Sequence, residues 1–167
     1  MYIPFEQLPP HAHVWVYQAD RKFSGDEKKM IGEVVKDFCI QWSAHGNPLK
    51  TSFTLEFDRF VILGVDESTA GASGCSIDGS VRALKELGHH LGINFFDRTK
   101  VAFIERDEIV IHPLQELSGL FASGQLHPTS TTFNNFVTTR AEWDANWKTS
   151  VEKSWLTKYL PKNTLSA

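Results

Sequence analysis

The sequence predicts an α+β fold: a mixed or antiparallel sheet with helices on one face and a helical extension at the C-terminal end. Three observations carry that prediction. His13–Gln18 alternates around Val14, Trp15, Val16 and Tyr17, as a first strand does. Met30, Ile31, Val34, Val35, Phe38 and Trp42 then recur at helical spacing. Ser52–Val65 is strand-like throughout, and Ile77, Val81, Leu84, Leu87 and Leu91 follow on one side of a second helix. With a further strand at Val101–Ile104, the order is strand, helix, strand, strand, helix, strand, which is the ferredoxin-like split βαβ order.

Each element has a local reason. Residues 1–12 carry three prolines and read as an extended arm. Ser24 and Glu27 have the spacing of a capping box, which satisfies the free amides at the start of the first helix. Gly46 and Pro48 are expected to stop that helix. Phe53, Leu55 and Phe57 alternate with polar residues, whereas Phe60–Leu63 is continuously apolar, as on a central strand. Asp58-Arg59 is a candidate hairpin between them, but it lacks the glycine that two-residue hairpins favour, so one long bent strand over Ser52–Val65 is the alternative. Gly92 is a candidate C-terminal cap for the second helix. Val101–Ile104 and Glu108–Ile111 read as two strands around Arg106-Asp107, and Leu114–Phe121 as a short helix. Thr139 and Glu142 form a second capping-box pattern. Trp143, Trp147, Val151 and Trp155 follow every four residues, so an aromatic helix docking on the domain is expected over 139–160.

The 167 residues fit one domain. Twelve Phe and five Trp supply the bulk of a core, and 17 basic against 20 acidic residues leave no basic excess for a general nucleic-acid binder. No apolar stretch approaches the roughly 20 residues a membrane helix needs. Two cysteines, Cys39 and Cys75, do not make a disulfide framework, and the first residues have no signal-peptide pattern. A cytoplasmic location is expected on these grounds.

The segment Gly71–Ser80 is the most unusual stretch, because it joins an apolar strand to a helix start. Free amides and the positive end of the helix dipole favour anions there and lower the pKa of a thiol. Asp66, Ser73, Gly74, Ser76 and Asp78 are the candidate residues for a small anionic ligand within 66–80. Cys75 is a candidate nucleophile with His45 as its base. If Asp58-Arg59 is a hairpin, the start of the first strand near His11 and His13, the loop 45–48 and the loop 66–76 share one sheet end. The simpler reading has Ser76 or Asp78 capping the helix, the glycines allowing turns and Cys75 packing as a small residue.

No cofactor or metal is expected. Gly-Lys-Ser, Gly-Lys-Thr and Gly-x-Gly-x-x-Gly are all absent, which excludes the common nucleotide loops. His89 and His90 are adjacent on a helix and diverge by about a hundred degrees, so they do not converge on a metal. His11 and His13 share one face of an extended chain, a weak metal pattern.

With Ala72-Ser73-Gly74-Cys75-Ser76-Ile77-Asp78, Phe96-Asp97-Arg98, Val101-Ala102-Phe103 and the opening Met1-Tyr2-Ile3-Pro4-Phe5, the chain resembles a group of uncharacterised bacterial proteins of about this length. Those proteins are often labelled ABC transporter ATPases. Leu117-Ser118-Gly119-Leu120 only begins like the signature such ATPases carry, and the resemblance implies no catalytic residues. The functions expected are therefore a small-anion binder at 66–80, a thiol enzyme using Cys75, or an interaction or homodimer module using the Trp-bearing C-terminal helix.

Overall fold

The structure is a computed structural model that describes residues 1–44, 47–66 and 74–162. Its contacts gather into two compact units, residues 1–97 with 135–144, and residues 98–134 with 145–167. The first unit holds β1 (His13–Gln18), α1 (Gly25–Gln41), the two-residue strands β2 (Ser43–Ala44) and β3 (Asn47–Pro48), β4 (Lys50–Glu56), β5 (Phe60–Asp66) and α2 (Gly74–Leu91). The second holds β6 (Lys100–Glu105), β7 (Glu108–Pro113), α3 (Leu117–Ala122), β8 (Thr131–Phe133) and β9 (Lys148–Ser150). The short helix α4 (Arg140–Asn146) lies between β8 and β9 in the chain.

The first sheet has the order β1-β5-β4 with both pairings antiparallel. β5 is buried along its whole length, which explains its unbroken apolar sequence. Val61, Leu63 and Val65 share a cluster with Ile31, Val35 and Cys39 of α1 and with Leu84 and Leu87 of α2. Trp15, Tyr17, Phe53 and Leu55 pack against the same cluster, so both helices cover one face of this sheet. The expected α+β class is thus met in this unit.

The helix ends follow their sequence signals. Ser24 accepts from the Glu27 amide while the Glu27 carboxylate accepts from the Ser24 amide, completing the capping box. Arg21 pairs with the same carboxylate at 2.6 Å. That guanidinium, helped by the Ser24 amide, holds the Glu27 carboxyl down at about 2. α1 ends at Gln41, earlier than Gly46 and Pro48 suggest, because Ser43-Ala44 pairs back on Asn47-Pro48. α2 ends at Leu91 with Gly92 at φ +68°, and Ile93 N–H donates to Gly88 O at 2.9 Å. That is a glycine-closed helix end of the Schellman type.

The hairpin between β4 and β5 forms, with the turn one residue before Asp58-Arg59. Phe57 and Asp58 take φ 54° and 53°, and Arg59 N–H donates to Glu56 O at 3.0 Å. Arg106 and Asp107 turn β6 into β7 in the same left-handed region, at φ 52° and 65°. These are primed turns built without glycine, and each non-glycine residue there carries a backbone cost. Arg106 and Asp107 are exposed. Changing them together to Asn-Gly is therefore expected to stabilise the chain by about 1 kcal/mol. Urea denaturation checks this, and an unchanged or lower midpoint would show that the turn carries no such strain.

Two sequence expectations are corrected. The strand at Val101–Ile104, expected to complete a four-stranded sheet, is β6, and it pairs with β7 and β8 in a second sheet of order β7-β6-β8-β9. β1 has another neighbour at its start: Val14 N–H donates to Thr138 O at 2.9 Å, and His13 bridges Thr139. The helix expected over 139–160 is also not continuous. α4 stops at Asn146, Lys148–Ser150 joins β8, and 3-10 turns follow at Val151–Lys153 and Trp155–Tyr159. Trp147 is buried against Phe133, with centroids 4.8 Å apart, while Val151 and Leu156 enter the second unit's cluster around Phe103, Leu117 and Phe121. Strand pairing and burial at alternate points outweigh the four-residue spacing. The N-terminal arm is partly ordered by pairing, with Tyr2 bridging Thr51 and a 3-10 turn at Phe5–Gln7.

Candidate functional site

The antiparallel hairpin fixes direction through the first sheet. His13 lies opposite Val65, and Lys50 lies opposite Asp66. The start of β1, the start of β4 and the end of β5 therefore share one sheet end. α2 opens at Gly74 after β5 ends at Asp66. This is the sheet end that the sequence singles out.

The two faces at that end carry different groups. Asp66 continues the row of Phe60, Ile62 and Gly64, which alternates away from the residues under the helices. Its side chain is 9% exposed, and His11 Nε2 stands 3.4 Å from Oδ1. The exposed imidazole stands within ion-pair distance of the buried carboxylate and lowers the cost of burying it when the ring is protonated. His13 belongs to the other row. Its ring stacks on Trp15, with centroids 4.1 Å apart and planes 16° apart, and Trp15 packs with the helix-covered cluster. Trp15 in turn meets Trp42 at 5.8 Å, and Trp42 meets Phe38 at 5.0 Å. Phe38 lies within van der Waals reach of the position a side chain at Gly79 would take. A run of aromatic rings thus leads from His13 across the helix-covered face toward the first turns of α2.

α2 differs from α1 at its start. α1 has Asp26 and Glu27 in its first turn, whereas α2 has no acidic residue there. Carboxylates in the first turn compensate the positive end of a helix, so α2 lacks that compensation from its own first turn. One turn further, Ser80 donates to Ile77 O at 2.7 Å and lies 3.4 Å from the Tyr17 hydroxyl. Burial raises the pKa of Tyr17, with the Ser80 contact opposing it, so the phenol stays neutral at ordinary pH.

The candidate residues are distributed as follows. Gly74 is the first residue of α2, and Cys75 and Ser76 continue its first turn, with side chains outside the described residues. Asp78 is exposed on α2. Ser73 and His45 lie outside the described residues, so the proposed pairing of His45 with Cys75 does too. The other thiol is described: Cys39 is fully buried, and burial pushes it up to about 12. The pairing of His11 with Asp66 went unseen in the sequence, because it depends on the register of β1 on β5. Among the described residues no group of three or more His, Cys, Asp or Glu could hold a metal ion, and no helix is long and apolar enough to cross a membrane. Compared with protein-family models, with curated proteins and with solved structures, the chain shows no match.

Proposed function

We propose that the protein binds a small anionic molecule at the start of α2, within residues 66–80. What supports this reading is a first turn of α2 that carries no acidic residue and that follows β5 from the sheet end where His13 stands. The first amides of a helix have no partner within it, and with the helix dipole they favour a phosphate, sulfate or carboxylate. Ser73, Gly74 and Ser76 are the residues assigned to the anion, with His13 adding positive charge when protonated. Asp66 serves from the other face, as the partner of His11 that fixes the end of β5.

Inorganic phosphate is the probe. Ligand at a hundredfold excess over its Kd stabilises the folded state by about 2.7 kcal/mol, which is several degrees in Tm for a chain of this size. The expected result is such a rise in phosphate, absent in sodium chloride of equal ionic strength and reduced in His13→Gln. An equal rise in chloride, or a full rise in His13→Gln, would remove the reading.

A further inference from the structure

Trp42 closes α1 and is only 4% exposed, yet among the described residues its indole Nε1 has no hydrogen-bond partner. Its backbone is satisfied: the amide donates to Cys39 O and the carbonyl accepts from Leu49 N–H, both at 3.4 Å. An indole N–H only donates, and it cannot rotate about a single bond to find an acceptor as a hydroxyl can. A buried donor left unpaired costs free energy, so it points to an acceptor that the chain itself does not supply. This donor lies at the end of the helix layer where α2 begins. Arg21 pairs with Glu27 in the first turn of α1 and also donates to Leu91 O at the end of α2, so the two helices run in opposite directions. At their other end, Phe38 stands 3.5 Å from the Cβ position of Gly79, in the second turn of α2. The Phe38 ring is 5.0 Å from the Trp42 ring, and Trp15 flanks Trp42 at 5.8 Å.

One phenyl ring thus separates Trp42 from the backbone of α2. Inorganic phosphate on the first amides of α2 does not span that gap, because a hydrogen bond reaches only about 3 Å. An anion with a second acceptor across a flat ring does span it, and aromatic surroundings suit such a ring. We propose that the ligand is a flat aromatic acid, whose anionic group takes the first amides of α2 and whose second acceptor oxygen receives the Trp42 indole N–H. This rests on the anion site proposed above and names the class of molecule it takes. Phe38, the half-buried ring between the two, is the side chain that yields its place to the ligand's ring.

The test titrates the ¹⁵N-labelled full chain with inorganic phosphate, phenyl phosphate and 4-acetylphenyl phosphate. It reads the backbone amides of Gly74–Ile77 and the indole Nε1–H resonance that Trp42→Phe removes. The expected result is saturable amide shifts with all three, and a downfield move of the Trp42 resonance with 4-acetylphenyl phosphate alone. That compound should bind about 10-fold more tightly than phenyl phosphate, and the ratio should fall to about one in Trp42→Phe. Should Trp42→Phe fail to fold, through-space transfer from the Phe38 ring assigns the resonance in the unaltered chain, and its shift decides. Amide shifts with a stationary Trp42 resonance, or equal binding of the two aryl phosphates, overturn this proposal and leave the anion site standing. Absence of amide shifts with all three overturns both.

Discussion

Gly88→Ala is expected to unfold or severely destabilise the first unit, by about 2–4 kcal/mol or more. The cause lies in the end of α2. A Cβ at position 88 would sit inside van der Waals contact with the Ile93 carbonyl oxygen and at 3.4 Å from the Phe95 ring. The oxygen is backbone, held by the chain reversal that brings Ile93 N–H onto Gly88 O. Ile93 and Phe95 are both buried in the cluster beneath the helices, so neither can retreat without opening that core. Gly92→Ala is the internal comparison. Gly92 has φ +68° but open space around its Cβ position, so only the left-handed backbone cost of about 1 kcal/mol applies. Urea denaturation of the two variants should rank Gly88→Ala well below Gly92→Ala. The reverse order would mean that the close approach at the helix end is not what constrains residue 88.

In a Cys75→Ser variant, Cys39 is expected to resist alkylation at pH 8 by about three orders of magnitude relative to the unfolded chain. Burial pushes this thiol up to about 12, with the neighbouring Thr51 opposing the shift. An unperturbed thiol has a pKa of about 8.5, so the thiolate fraction at pH 8 falls from about a quarter to about one in ten thousand. Full burial adds to this, because a reagent must wait for the chain to open. The complementary variant, Cys39→Ser, then isolates Cys75. Fast alkylation of native Cys39→Ser with a midpoint below ~8.5 would support the thiol-enzyme reading. A Cys39 rate within tenfold of the unfolded rate would contradict its burial under α1.

What the sequence disclosed was local, and what it concealed was long-range. Ser24 with Glu27 and Gly92 are signals whose partners sit within a few residues, and all three act as their spacing suggests. The hairpin after β4 was legible from the change of hydrophobic pattern at Phe60, although its turn uses Phe57 in place of glycine. The sequence leaves one long bent strand open as the alternative, and it is the observed hairpin that brings the starts of β1 and β4 and the end of β5 to one sheet end. The aromatic spacing from Trp143 to Trp155 misled because each tryptophan answers to a different neighbour. Trp143 meets the Phe5 ring at 5.2 Å, Trp147 is buried on Phe133, and Trp155 is exposed beside Tyr159. A four-residue period records none of that. The place of β6 is hidden for a similar reason: its hairpin with β7 is local and legible, but its other edge is taken by β8, a pairing of distant residues that no local pattern records. At the candidate site the histidines were placed at the right end but not on their faces. His11 and His13 do not share one face of an extended chain, because β1 begins at His13 and the turn before it, closed by Ala12 N–H on Pro9 O, carries His11 to Asp66.

The most direct measurement is a phosphate titration followed by backbone amide shifts in the ¹⁵N-labelled chain. Saturable shifts centred on Gly74–Ile77 and on His13, absent with chloride, are the predicted result. Shifts that are confined to other surfaces, or that grow linearly without saturation, would contradict an anion site at the start of α2.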